Sequence, residues 1–165
     1  MTKRNDRQKS IAGTTDRELV VRRTYNATAE ELFDAFTDRE TIGHWWGPNG
    51  FRTTTHEMDV RPGGVWRFTM HGPDGTDYEN FIAYRTVERP RRLEYDHGSS
   101  PEIIEFTTTV TFQERDGKTE ITMRALFRTA EARRRAVEDY GALEGGKQTL
   151  ARLADHVDRL GARRG

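Results

Sequence analysis

The sequence predicts a single α+β domain in which a seven-stranded, curved antiparallel sheet wraps around a long C-terminal helix. Three observations lead to this prediction. From about residue 51 to residue 127, apolar residues largely alternate with polar ones, which is typical of strands with one buried face. Two turns that contain Asp-Gly, at residues 72–76 and 114–118, divide this stretch as hairpins do. From Thr129 onward the apolar period becomes helical.

Length and composition bound the class of protein. The 165 residues fit one domain, which we expect at residues 17–160. Residues 1–16 are expected to be a disordered tail because they offer little to bury, and residues 161–165 a C-terminal tail. The 27 basic and 27 acidic residues argue against nucleic-acid and membrane partners, and the lack of Cys excludes disulfides. Without an apolar signal or membrane segment, a cytoplasmic location is expected.

The first predicted elements are a strand and a helix. Residues 17–25 are rich in β-branched side chains and bounded by turns, which favours a strand. Thr28 and Glu31 have the spacing of a capping box, so a helix is expected to begin there. Six further strands are predicted, at residues 51–60, 65–71, 77–87, 92–97, 103–113 and 119–127.

The predicted strand at residues 77–87 has two apolar faces. Ile82 and Tyr84 alternate on one face, whereas Phe81 and Val87 fall on the other. A β-bulge within this strand would bring the two sets together.

A second short helix is predicted between the first helix and the sheet. Thr37 and Glu40 repeat the capping-box spacing, and Gly47-Pro48 would end the helix. Trp45 and Trp46 are neighbours in this segment, so they cannot both enter one core along one direction. We expect one indole to anchor the helix and the other, Trp45, to line the entrance of a cavity. The alternative is that both indoles are purely structural.

One long helix, from Thr129 to about Leu160, completes the predicted order. The glycines at 145 and 146 interrupt its apolar stripe, and two helical glycines cost about 2 kcal/mol relative to alanine. Either the backbone bends at this point or another element packs closely against it. A helix of about 30 residues is about 45 Å long and can lie across the apolar face of the sheet.

Four separated stretches of the sequence resemble a known family. WWGPNGF, DVRPGGVWRFTMHGPDG, ERPRRLEY and GALEGGKQTLARLADHV occur in an order similar to that of the activator-of-heat-shock-ATPase-homologue-like branch of the START/SRPBCC helix-grip superfamily. The resemblance covers about residues 17–160 and implies an apolar cavity between the C-terminal helix and the concave face of the sheet. Members of this type carry a tryptophan where this chain has Gly146 or Lys147, so the cavity is expected to be wider there or filled by a neighbour.

The resemblance implies several functions, because the superfamily includes lipid carriers, hormone receptors, cyclases and co-chaperone domains. The preferred prediction is a protein that binds a small apolar molecule, aromatic or lipid-like. One alternative is an interaction module that acts on a chaperone ATPase, and another is a polyketide-cyclase-like enzyme that uses His97 or Tyr95. The residues predicted to line the cavity are Trp45, Trp66, Phe68, Met70, Tyr95, His97, Phe106, Met123, Leu143, Gly146 and Leu150.

No catalytic set, metal site or cofactor is predicted, and the oligomeric state is left open. The five histidines do not have the spacing of metal ligands on a strand or a helix. His97 alternates in phase with Leu93 and Tyr95, so it is expected to face inward. His156 is expected to face solvent from the charged side of the long helix.

Overall fold

Seven antiparallel strands form one sheet, in the order β1-β7-β6-β5-β4-β3-β2, in the computed structural model, which describes residues 15–164. Each strand from β2 to β6 pairs with the next along the chain, and β7 pairs with β1. The predicted fold class is therefore confirmed. The strands are β1 (Glu18–Tyr25), β2 (Arg52–Met58), β3 (Val65–His71), β4 (Asp77–Glu88), β5 (Arg92–Ser100), β6 (Ile103–Arg115) and β7 (Lys118–Phe127).

Three α-helices accompany the sheet: α1 (Ala29–Thr37), α2 (Ala130–Tyr140) and α3 (Ala142–Arg164). Helix α1 begins at the predicted capping box. The hydroxyl of Thr28 accepts the backbone N–H of Glu31, and the Glu31 carboxylate accepts the backbone N–H of Thr28. None of the described helices is long and apolar enough to cross a membrane.

The second short helix predicted after Thr37 is present only as a 3-10 helix of three residues, and it does not begin at the predicted capping box. Thr37 is the last residue of α1, and its hydroxyl donates to the Phe33 carbonyl at 2.9 Å instead of capping a new helix. The Asp38 carboxylate accepts the backbone N–H of Glu40 at 2.9 Å, which stabilises a turn. A single 3-10 turn, Ile42–His44, follows.

The C-terminal helix is divided, and the prediction of one helix over residues 129–160 is corrected accordingly. Gly141 adopts a left-handed conformation with φ 63° and ends α2, and its N–H donates to the Ala136 carbonyl. The interruption therefore lies four residues before the Gly145 at which the sequence suggested it.

Gly145 and Gly146 lie inside α3, where another element packs closely at Gly146 and makes ordinary contact at Gly145. A Cβ atom at Gly146 would lie 3.3 Å from the Val21 side chain of β1, and one at Gly145 would lie 3.4 Å from Pro48. Neighbouring side chains thus occupy the space around both glycines. A hydrogen bond also joins β1 to α3, because the Tyr25 hydroxyl donates to the Leu150 carbonyl at 2.8 Å.

Two more predictions concern which side chains face the core. The register of β4 against β5 shifts between Tyr84 and Thr86, which is the expected bulge, and Val87 then packs against the same core as Ile82. His156 is buried, so the prediction that it faces solvent is wrong. It follows Leu153 by three residues and precedes the buried Val157, which places it on the apolar face of α3.

Candidate functional site

The two adjacent tryptophans have different partners, and both are buried. The indole of Trp45 packs edge-on against Phe36 of α1, with ring centroids 4.9 Å apart, and its Nε1 donates to the Ala35 carbonyl at 3.3 Å. Trp46 turns towards the sheet and packs edge-on against Trp66, with centroids 4.9 Å apart. Trp45 therefore fastens the segment to α1, while Trp46 covers the concave face of the sheet, which is the face towards the helices.

The predicted lining residues separate into two groups. Five are almost completely buried in the core: Trp45, Trp66, Phe68, Tyr95 and Leu150. Six are only partly buried: Met70, His97, Phe106, Met123, Leu143 and Gly146. The first group is packed against aromatic and aliphatic neighbours, so contact with a ligand is open chiefly to the second group.

A cleft of about 480 Å³ opens where β4 and β5 separate. The two strands pair as far as Phe81 and Gly98, after which the first residues of β4 pair only with β3. At Gly98 the register of β5 shifts towards β6. A Cβ atom at Gly98 would collide with the Ile103 carbonyl, so only glycine permits this close approach.

Both faces of the sheet contribute to this opening, which we call the β4–β5 cleft. Of the predicted lining residues, His97 and Phe106 lie on it. The ring centroids of these two residues are 4.8 Å apart. The cleft is lined by Asp77, Tyr78, Glu79, Asn80, His97, Gly98, Ser99, Glu105 and Phe106.

The hydrogen bonds of Asn80 define the tautomer of the neutral His97 ring. The Asn80 side chain donates through Nδ2 to the Tyr78 carbonyl at 3.1 Å, which leaves its Oδ1 2.8 Å from His97 Nε2. An amide oxygen can only accept, so Nε2 carries the proton and Nδ1 keeps its lone pair. Nδ1 has no hydrogen-bond partner among the described residues, and it is not one of the polar atoms sealed from solvent.

Burial keeps His97, Tyr84 and Tyr95 uncharged near neutral pH. Burial lowers the pKa of His97 to about 4. Burial also raises the pKa of Tyr95, with a smaller opposing effect of its hydrogen bond to Thr108, and burial raises that of Tyr84. The arrangement can therefore exchange hydrogen bonds with a ligand but offers a weak base at His97. Among the described residues, no group of three His, Asp or Glu side chains is placed to hold a metal ion.

A second cleft, of about 490 Å³, lies beside the edge strand β2 and has a polar lining that includes Arg39, Arg52 and Arg152. The Arg152 guanidinium donates to the carbonyls of Gly47 and Pro48, each at 2.9 Å. These bonds tie α3 to the loop that follows the tryptophans, which is a structural role.

Sequence reasoning missed most residues of the β4–β5 cleft. Asn80 carried a usable signal, because it is a polar residue in phase with the inward-facing Ile82 and Tyr84. Gly98 and Ser99 carried none, since the cleft depends on where the pairing of β4 with β5 stops.

Comparison with known proteins adds a family and a fold. The family described as "Activator of Hsp90 ATPase homolog 1-like protein" matches residues 26–158. No curated protein shows significant similarity to the chain.

Solved structures from several bacteria share the fold. A protein from Mycobacterium smegmatis is 24% identical, with 86% of this chain and 91% of that chain covered and a TM-score of 0.76. A protein from Nitrosomonas europaea is 21% identical, with 89% and 97% covered and a TM-score of 0.80. The AHSA1 protein from Silicibacter pomeroyi is 22% identical, with 86% and 97% covered and a TM-score of 0.67. At these identities the likeness supports the fold alone.

Proposed function

The chain belongs to the Activator of Hsp90 ATPase homolog 1-like family, and we propose that it binds a small, mostly apolar molecule in the β4–β5 cleft. The ligand would lie against Phe106 and His97, with Tyr78 and Asn80 beside it. The observation that carries this proposal is the cleft itself, where Phe106 and His97 remain partly exposed beside a packed aromatic core.

The size and lining of the cleft support a small ligand. Sites for small molecules are concave, about 300–1,000 Å³ in volume, and combine apolar walls with a few polar groups. The cleft, at about 480 Å³, falls in this range. Phe106 and Tyr78 supply aromatic surface, and the hydrogen-bonded pair of His97 and Asn80 supplies the polar groups.

The packed part of the concave face argues for a compact ligand. Trp46, Trp66 and Phe68 contact one another through their rings and occupy the region that a large cavity would need. A molecule with one or two aromatic rings fits the remaining opening better than a long acyl chain does.

Thermal unfolding in the presence of naphthylmethanol tests the proposal. A ligand at 100 times its dissociation constant stabilises the native state by about 2.7 kcal/mol. For a domain of this size, that corresponds to a rise in Tm of about 5–10 °C. A saturable rise supports binding, whereas an unchanged Tm across neutral one-ring and two-ring compounds contradicts it.

A protein-interaction role is the second candidate, because the family description names an ATPase activator. Large apolar side chains that could meet a partner are Tyr140, Ile103 and Tyr78, which are 84%, 54% and 47% exposed. The test is the ATPase rate of a purified Hsp90-class chaperone with and without this protein. A stimulation that Tyr140→Ser removes would favour this role, and an unchanged rate would oppose it.

A further inference from the structure

We propose that the β4–β5 cleft selects neutral or cationic ligands that donate a hydrogen bond to His97, and that it discriminates against carboxylates. This inference rests on the proposed function, because it specifies the chemistry of the ligand at the same site. It follows from two independent features: the orientation of the His97–Asn80 pair and the charges around the opening.

The first feature is a fixed hydrogen-bond acceptor. Asn80 Oδ1 accepts the Nε2–H of His97, so the unpartnered Nδ1 presents a lone pair. The Phe106 ring, with its centroid 4.8 Å from that of His97, and the Phe68 ring, at 6.0 Å, provide apolar surface next to this acceptor. An alcohol, phenol or ammonium group on an aromatic body can satisfy Nδ1 while its rings contact Phe106. A carboxylate, which only accepts, cannot.

The second feature is the charge of the lining. Asp77, Glu79 and Glu105 lie on the cleft, and its lining contains no Lys or Arg. The Asp77 carboxylate is hydrogen-bonded to His71 at 2.8 Å, and the Glu79 carboxylate accepts the Thr69 hydroxyl at 3.0 Å. These bonds hold the two carboxylates against β3 on the outer face of the sheet, where they border the cleft.

The two features act in the same direction. Acidic groups near an entering ligand attract a cation and repel an anion, and salt weakens both effects when the groups are exposed. At low ionic strength we expect a cation to bind about ten times more tightly than an anion of the same shape. The difference is expected to shrink as salt is added.

A set of naphthalene derivatives with the same ring system tests this selection. Naphthylmethylammonium, naphthylmethanol and naphthoate differ mainly in the charge and hydrogen bonding of one substituent, and their dissociation constants can be measured by calorimetry with the intact protein. We expect naphthylmethylammonium and naphthylmethanol to bind and naphthoate to bind at least tenfold more weakly than the cation. Equal binding of all three would overturn the selection while leaving the proposed function standing. Failure of all three to bind would overturn both.

A matched pair of variants tests the contribution of the acidic lining. Glu105→Gln removes a charge from the cleft, whereas Glu88→Gln removes one from the opposite end of β4. Glu105→Gln is expected to reduce the preference for the cation over the anion by about twofold to threefold, and Glu88→Gln to leave it unchanged. An equal effect of the two variants would overturn the role assigned to the acidic lining of the cleft.

The role of His97 Nδ1 as an acceptor is tested with two ligands that differ only in a hydroxyl donor. His97→Phe keeps an aromatic ring but removes Nδ1. It is expected to weaken naphthylmethanol about fivefold relative to methylnaphthalene, which has no donor, in line with the loss of one hydrogen bond. If both ligands weaken equally, the role assigned to Nδ1 is wrong.

Discussion

Phe106 and Phe112 provide a controlled test of the division between packed core and ligand surface. Both lie on β6, six residues apart, and both face the helices. Phe112 is buried, and its ring centroid lies 5.4 Å from those of Phe33 and Phe36. Phe106 is only partly buried and lies on the cleft. The same substitution at the two positions should therefore have different consequences.

The expected magnitudes follow from burial. Phe112→Ala leaves an enclosed cavity and should lower the free energy of unfolding by about 3–5 kcal/mol. Phe106 is less completely buried than Phe112, and its removal leaves space that opens into the cleft, so a smaller loss of about 1–2 kcal/mol is expected. Phe106→Ala also removes the ring that the ligand would contact, so it should weaken naphthylmethanol binding about tenfold.

Urea denaturation and calorimetric titration measure the two effects separately. Because a loss of 5 kcal/mol can unfold a marginally stable domain, Phe112→Leu and Phe106→Leu are the milder matched pair. The expectation is reduced stability with unchanged affinity at position 112, and reduced affinity with little change in stability at position 106. Equal stability losses, or unchanged affinity in both Phe106 variants, would refute the division.

Three further predictions concern stability. The folded pKa of His97 is about 4, below its ordinary value of 6.5, so its contribution is complete above pH 6.5 and is lost as pH falls towards 4. Urea titrations should show wild type losing about 2 kcal/mol more than His97→Phe between pH 7 and pH 4.5. Trp45→Ala should lower the free energy of unfolding by about 3–5 kcal/mol, since its indole anchors α1; a loss below about 1 kcal/mol would contradict that role. Gly98→Ala should destabilise the fold by more than about 3 kcal/mol because its Cβ meets the Ile103 carbonyl. Gly161→Ala, with open space around it, should stabilise α3 by about 1 kcal/mol; equal melting temperatures for these two glycine variants would count against the steric argument.

Local sequence patterns predict local structure in this protein. The Thr28 capping box marks the start of α1, and the Asp116-Gly117 pair forms the β6–β7 hairpin with both residues at positive φ. The bulge in β4 could also be predicted, because the apolar pattern changes phase within one strand. In each case the cause lies within a few residues of the feature.

Features that depend on distant neighbours could not be predicted in this way. Gly145 and Gly146 resemble a helix break in sequence, but they lie within α3 and pack against Val21 and Pro48, which are remote along the chain. The helix in fact breaks at Gly141, and the sequence does not distinguish this glycine from Gly145 or Gly146 as the end of a helix.

In the candidate site too, local patterns predicted individual residues but not how distant elements pack together. Inward alternation identified His97 and Phe106 as lining residues, and both lie on the cleft. Alternation could not reveal that the Trp46 ring covers Trp66 and Phe68, because that depends on how the loop folds over the sheet. The position of the opening depends on the register between β4 and β5, which no short stretch encodes.

The most direct measurement is the location of bound naphthylmethanol by intermolecular nuclear Overhauser effects in the isotope-labelled protein. We expect contacts from the ligand ring to Phe106 and Tyr78, with saturable shifts at Asn80 and His97. Contacts confined to the arginine-lined cleft beside β2, or no saturable shift at any concentration up to the solubility of the ligand, would contradict it.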